Sequence, residues 1–567
     1  MKKFAKLALI ALVAVIAATG VLAACQDFTW GPVGSTNPEA AVSGNGTVAV
    51  AQGSTVYFVN GEGDTSTITD PEMNWFGNAG YKGSIMKGTL SDDGSVEDVA
   101  VLVPKMFYNG QADGGVFVFG KWLYYTSPST ETQSDGTILT SRHDFYRTTT
   151  DGTQTQLICT ADANTYEYIF TPSALFYFNS ALGQIVKVGY TDAEVGASEV
   201  IAEDVTDAMF VKDGEYTYGE DRVSDMFFYT KAGDTQNDFD VLYGNRVYAC
   251  NYAGKSVLLI DNTTFVPEGE GVIAAQHQYT VSLLDYAIED GGVTLVYSRT
   301  PGSSSVSGAR TATSMYTVTP AAISEGGEGA VLNAANEKVI AYSALSASSV
   351  YAVSAEYGVL SVSSSNINRY YNDNGTPVTV KIGTDGDGTQ QALEGAPTIV
   401  AVRDEVADAT NNNTAGKYMY YTVSNALYKF NLDTEQALGM VLDSTTDTVY
   451  TDYIAASLIT RTVNEKAVTY FFYMNGITGD YTSVAALSTL NYAQEGGEWT
   501  ISGVVASGYW EVGEAGCTDS NYSYNEEDKT YTVTDPSDAT KTVTITKPLP
   551  KFMESAGLST YISAYTA

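Results

Sequence analysis

The sequence predicts an all-β fold, a β-propeller of seven or eight four-stranded blades, and three observations carry that expectation. A short strand crowded with aromatic residues recurs eight times along the 567 residues, at a mean spacing of about 59. Most periods hold three further short apolar runs, which makes four strands per repeat. Helical 3.6-residue periodicity is scarce beyond the N-terminus, while β-branched and aromatic runs bounded by polar turns dominate. A lone four-stranded unit cannot cover both its faces, so such units stack around an axis. Stacked sandwiches and a solenoid are the alternatives. A period of about 59 residues is long for a solenoid rung and short for a sandwich of roughly 100.

In chain order, Lys2, Lys3 and Lys6 precede an apolar run from Leu7 to Leu22 that ends in Leu22-Ala23-Ala24-Cys25. Small residues before a cleavage point mark a secretory signal, and a cysteine placed directly after them resembles the bacterial lipoprotein signal. The resemblance implies that residues 1–24 are a signal peptide and that Cys25 becomes the lipidated N-terminus. The 16 apolar residues are short of the roughly 20 that a spanning helix needs. Two or three acyl chains would hold the protein on a membrane, where one alone is reversible. Residues 25–46, rich in Gly, Pro and Ser, read as a flexible tether.

Residues 47–515 are expected to form the propeller. The aromatic strands are VYFVNG from Val56, WLYYTS from Trp122, LFYFNS from Leu175, MFFYTK from Met226, TLVYSR from Thr294, VYAVSA from Val350, YMYYTV from Tyr418 and TYFFYM from Thr469. Shorter runs such as TVAVAQG, GVFVFG and YEYIF come just before them, and runs such as SIMKGTL, QIVKVGYTD and RVYACNYAGK just after. A further run closes the repeat, as in VAVLVPK, TQLICT and SVLLIDN. Near-continuous apolar strands such as LFYF suit a position covered on both faces. In the tail, residues 516–567, TYTVT and KTVTITK flank DPSDAT and read as a hairpin.

LFYFNSALGQIVKVGYTDAE, together with WLYYTS and FYRTTTDGT, resembles a bacterial lipoprotein domain of unknown function described as similar to the propeller of low-density-lipoprotein-receptor-related protein. In that repeat Tyr-Trp-Thr-Asp precedes an Ile-x-Arg and an Asp-Gly turn. Tyr124-Tyr125-Thr126, Tyr420-Tyr421-Thr422 and Phe228-Tyr229-Thr230 stand in the first slot here. The receptor motif's Trp and Asp are absent, so ligand or calcium functions tied to them do not carry over. What the resemblance implies is a fold and a cell-surface location.

Composition narrows the partners. Sixty-six acids stand against 29 Lys and Arg, a net charge of −37 that moves to about −40 once residues 1–24 and their three lysines are removed. Nucleic acid is a poor partner for such a surface, because binding it depends on clustered cations. A hydrophobic fraction of 44% with 41 Tyr suffices for a large core. Three cysteines, Cys159, Cys250 and Cys517, remain besides Cys25. The odd number cannot complete a disulfide framework, and the first two end apolar strands as small hydrophobes.

Catalytic signatures are few. His143 and His277 are the only histidines, and neither HExxH nor G-x-S-x-G occurs. The formal G-x-G-x-x-A from Gly269 to Ala274 lacks a strand-helix-strand setting. SDDGSVED lacks the spacing and the Trp of sialidase-like boxes. Paired carboxylates for glycoside cleavage stay open, since geometry decides them. No cofactor is expected. Calcium is the ion that abundant hard oxygens would suit, with Asp385 and Asp387 in one loop and Asp234, Asp238 and Asp240 in another. Neither loop has the full spacing of a calcium loop, and turn chemistry accounts for both.

Long connections follow the aromatic strand in the first, second, fourth and fifth repeats and should emerge on one face, where binding usually lives. The first contains Trp75, Phe76 and Tyr81, an aromatic set flanked by acids that could stack on sugars or anchor a protein, or simply pin its own loop. The functional expectation is a monomeric lipoprotein on the extracytoplasmic face of a membrane, held through lipidated Cys25. Its propeller would bind an extracellular protein, peptide or envelope polysaccharide without catalysis. The alternatives are a glycan hydrolase or lyase using carboxylates and an envelope assembly scaffold resembling quinoprotein-like propellers.

Overall fold

Short connections turn each strand back on its predecessor, so neighbours in sequence become neighbours in an antiparallel sheet. The computed structural model describes residues 36–47, 49–60, 84–91, 96–103, 115–128, 142–162, 165, 167–232, 246–261, 279–289, 291–301, 311–326, 337–341, 350–354, 358–362, 366–370, 378–381, 398–405, 415–423, 426–433, 436–442, 449–450, 457–463, 466–475, 483–486, 491–495, 498–502, 522–525, 530–534 and 542–545. Blade 1 comprises β1 (Val42–Ser43), β2 (Ala49–Gln52), β3 (Thr55–Asn60), β4 (Ser84–Leu90) and β5 (Val96–Val103). Blade 2 comprises β6 (Phe117–Phe119), β7 (Trp122–Pro128), β8 (Arg142–Thr149) and β9 (Thr155–Asp162). Blade 3 comprises β10 (Tyr168–Phe170), β11 (Ala174–Asn179), β12 (Gln184–Tyr190) and β13 (Val195–Ala202).

Blade 4 follows with β14 (Val205–Phe210), β15 (Met226–Lys231), β16 (Arg246–Asn251) and β17 (Ser256–Asp261). Blade 5 has β18 (Tyr279–Glu289), β19 (Gly292–Pro301), β20 (Ala312–Val318), a short helix α1 (Pro320–Glu325) capped by the Thr319 side chain, and β21 (Lys338–Ala341). Blade 6 has β22 (Val350–Ser354), β23 (Gly358–Val362), β24 (Asn366–Tyr370) and β25 (Val378–Lys381). Blade 7 has β26 (Thr398–Glu405), β27 (Gly416–Val423), β28 (Ala426–Asn431) and β29 (Gln436–Leu442). In blade 8, β32 (Lys466–Asn475) pairs with β30 (Val449–Tyr450), β31 (Ser457–Val463) and β33 (Ser483–Ala486). Sheet order follows chain order in blades 1 to 7.

The chain is thus an all-β propeller, with eight such sheets among the described residues. After the eighth come a hairpin of β34 (Asn491–Glu495) and β35 (Glu498–Ser502) and a separate sheet of β36 (Tyr522–Asn525), β37 (Thr530–Thr534) and β38 (Thr542–Ile545). One slot differs from expectation. VYAVS forms β22, the first strand of blade 6, and the apolar GVLSV of β23 occupies the second position.

Burial falls from axis to rim. In β11, Ala174 through Tyr177 are all buried, as a strand covered on both faces requires, whereas Gly196 through Val200 of outermost β13 are exposed. Aromatic rings join blade to blade. Phe145 of β8 meets Tyr168 and Phe170 of β10 with ring centroids 5.0 and 5.8 Å apart. Phe176 of β11 meets Phe227 of β15 at 5.6 Å and Tyr252 at 5.2 Å. Each such pair contributes about 0.5–1.5 kcal/mol beyond the area it buries.

Alternation of strand direction gives every blade two ends, and side-chain bonds tie those ends together from blade to blade. At one end, here termed proximal, Gln52 Nε2 donates to the Gly120 carbonyl at 2.7 Å. Lys87 Nζ donates to the Thr150 carbonyl at 2.9 Å, and Trp122 Nε1 donates to Asp192 Oδ1 at 3.2 Å. These contacts join the β2–β3, β6–β7, β8–β9 and β12–β13 turns of blades 1, 2 and 3. The opposite, distal end carries the β11–β12 turn, whose Gly183 carbonyl accepts from Val205 N–H at 2.9 Å. Gly183 has φ +62°, and a Cβ there would lie 3.1 Å from the Val205 carbonyl oxygen, so a side chain would meet both strain and crowding.

Candidate functional site

Among the described residues a buried polar assembly lies on the axis, and the chain itself supplies it. Residues 36–46, which composition groups with the tether, run into the ring from the proximal end. β1 pairs with the inner edge of β2, Val42 opposite Gln52 and Ser43 opposite Ala51. On the other side of β1, Val42 and Tyr216 exchange backbone hydrogen bonds at 2.8 and 2.9 Å. Tyr216 belongs to the β14–β15 connection of blade 4, residues 211–225, so that connection and the N-terminal segment meet inside the ring.

Three residues explain why the segment holds its course. Asn45, 2% exposed, donates from Nδ2 to the Val118 carbonyl at 3.3 Å and accepts from Val118 N–H at 2.7 Å, which satisfies an otherwise unpaired edge of β6. Gly46 turns the chain at φ +81°, where a Cβ would sit 3.1 Å from the Phe117 ring. Ser43 Oγ donates to Glu215 Oε1 at 2.6 Å and accepts from Thr460 N–H at 3.0 Å. Thr460 lies on β31, so one hydroxyl links blade 8 to blade 1 and to the connection from blade 4.

The 211–225 connection is cross-braced by charge. Arg222 Nε donates to Asp225 Oδ1 at 3.0 Å, and Arg222 stacks over the Tyr216 and Phe119 rings at 5.5 and 5.8 Å. Ser224 Oγ donates to Asp213 Oδ2 at 2.6 Å. Burial pushes the Asp225 carboxyl above its ordinary value, and Arg222 pulls it back. The Tyr286 hydroxyl of β18 accepts from Lys212 N–H at 2.8 Å, which ties the connection to blade 5.

Two further carboxyls stand on the first strands of neighbouring blades, each at a β-bulge. In β14 the register shifts between Val205 and Asp207, and in β18 between Leu283 and Asp285. Each aspartate accepts from the backbone N–H of the residue after it, Ala208 at 3.0 Å and Tyr286 at 2.7 Å. Burial pushes Asp285 up to about 6 and raises Asp207, which the backbone N–H of Leu283 holds down in part. Sequence reading missed both. The available signal was an acid set inside an otherwise apolar first strand, TDAMF and LLDYA.

Cys159 on β9 and Cys250 on β16 are free thiols, and burial pushes each up to about 12, so they stay protonated and inert at neutral pH. No group of three or more His, Cys, Asp or Glu side chains comes together among the described residues. Cys25, Trp75, Phe76 and Tyr81 lie outside the described residues, as do His277, the Gly269–Ala274 run and both aspartate-rich loops proposed for calcium.

No family model and no curated protein matches the chain. Solved structures do. A chain from a structural study of two prolyl endopeptidases shares 11% identity over 70% of this chain, at a TM-score of 0.33, and the match spans 51% of that chain. A nidogen–laminin complex shares 12% identity over 65% of this chain and 93% of its own, at a TM-score of 0.24. Dihydro-heme d1 dehydrogenase NirN shares 10% identity over 73% and 74%, at 0.32. Enzymes and non-enzymes stand side by side in this set, and nothing of their activities carries over.

Proposed function

We propose that the chain is a membrane-anchored lipoprotein of an extracytoplasmic surface, whose propeller binds a protein, peptide or envelope polysaccharide without performing chemistry on it. The Leu-Ala-Ala-Cys sequence ending at Cys25 supports the anchor. The observation that carries the binding reading is the axis. Val42, Ser43 and Asn45 are at most 5% exposed there and are bonded to blades 1, 2 and 8 and to the connection from blade 4. A scaffold braced through its centre leaves its ends as the surfaces for recognition, which is where loops on rigid frames usually bind.

Changing Cys25 to Ala should move the protein from the membrane to the soluble fraction, and retention in the pellet would remove the anchor from this reading. Capture of envelope material by the soluble mature domain, followed by glycan and protein analysis, separates the two ligand classes. Trp75→Ala and Phe76→Ala should weaken that capture at least tenfold if those side chains form an anchoring hot spot, and unchanged capture would exclude them.

Asp207 and Asp285 favour a second reading, a glycan-cleaving propeller, because a carboxyl pushed up to about 6 has the character of a general acid. Release of reducing ends from envelope polysaccharide, abolished by Asp285→Asn, would establish it. An inactive domain that still captures its ligand would leave the binding reading in place.

A further inference from the structure

The axial segment fixes where the chain leaves the ring. Thr36 Oγ1 lies 3.1 Å from Gln52 Oε1, 3.2 Å from the Tyr57 hydroxyl and 3.1 Å from Thr150 Oγ1. Those partners belong to blades 1 and 2 at their proximal ends, next to the β2–β3 and β8–β9 turns. Downstream of Thr36 the bonds of Val42, Asn45 and Gly46 hold the segment to the axis, so the exit point is set.

We propose that the propeller stands with its proximal end toward the membrane and turns its distal end away from it. The proposal rests on the lipoprotein reading of Cys25. Tether length supplies the argument. Ten residues, and so eleven Cα-to-Cα steps, separate Cys25 from Thr36, a reach of at most about 40 Å when fully extended and about 18 Å for a chain of coil dimensions. The seven residues of β12 run from the distal turn to the proximal one, a blade depth of about 20 Å, and neighbouring strands lie about 5 Å apart. Laying the distal end on the bilayer would therefore require the tether to cross that depth and one or two strand spacings, about 25–30 Å of protein surface and well beyond its coil length. Laying the proximal end on it requires no extension at all.

The test places a donor dye at either end of the anchored protein. In full-length lipidated protein with Cys159→Ser and Cys517→Ser, whose buried Cys250 does not label, single cysteines replace exposed Ala193 or Thr153 at proximal turns and exposed Leu182 or Glu203 at distal ones. The proteins are reconstituted into phosphatidylcholine vesicles carrying a headgroup acceptor, and energy transfer is measured. Transfer from both proximal sites at least twofold above both distal sites is expected. Equal transfer, or the reverse order, in protein that floats with the vesicles overturns the orientation while leaving the anchor intact. Protein that fails to float when Cys25 is present overturns the anchor reading, and the orientation falls with it.

Discussion

Asp285 makes the protein's stability depend on acid in an unusual direction. Its folded carboxyl is pushed up to about 6, while an unfolded aspartate titrates near 3.9. Between those values the folded state binds the extra proton, so this residue's contribution to stability falls as pH rises from about 4 to about 6 and stays unfavourable above. Asn keeps an acceptor for the Tyr286 N–H without the charge. Asp285→Asn should therefore stabilise the domain by about 1–3 kcal/mol at pH 7.5, with no difference below about pH 3.5. Urea unfolding at the two pH values measures it, and a gain that is the same at both would show that the charge is not the cause. The sequence marks this group only as an acid inside the apolar run LLDYA and does not show its burial. An aspartate one place from a bulge looks like an aspartate facing solvent until the register is known, because a one-residue slip exchanges the two faces of a strand.

Among the elements, aromatic side chains of the inner three strands carry the cohesion between blades. Phe145 sits with 0% exposure where β8 meets β10 and β11, within 6.0 Å of the Tyr177 ring as well as Tyr168 and Phe170. Phe145→Ala should cost about 3–5 kcal/mol, and Phe145→Leu clearly less, since most of the volume is kept. Thermal denaturation distinguishes the two, and equal losses would mean that ring stacking rather than filled volume is what matters there. These strands were legible because aromatic and β-branched runs between polar turns need no tertiary information. Position within a blade was less legible. VYAVS of blade 6 has the aromatic, apolar look of a second strand, yet it lies first in its sheet. First and second strands are both inner strands, and what separates them is which edge pairs onward, which composition does not encode. β1 was invisible for another reason: two residues, Val42 and Ser43, are a strand only because β2 and Tyr216 flank them.

For the whole molecule, the axial segment replaces several weak joints with one shared brace. Deleting residues 36–46 removes the Asn45–Val118 pair, the Gly46–Val116 and Val42–Tyr216 backbone bonds and the Ser43–Thr460 bond at once. Each buried donor or acceptor left unmatched costs about 1–3 kcal/mol, so the truncated domain should melt at least 10 °C lower, with residues 205–231 and 457–475 the first to exchange amide hydrogen. A melting temperature within 2 °C of the parent would show that the blades close without the brace. The Ser43–Thr460 bond also sets a clock. Its partners stand 417 residues apart, and contacts that distant are the slowest to form. A chain delivered N-terminus first has its earliest residues waiting at the exit while seven blades are still being made. Until the eighth arrives the segment is seated on blades 1, 2 and 4 but its closing bond, Thr460 N–H to Ser43, has yet to form.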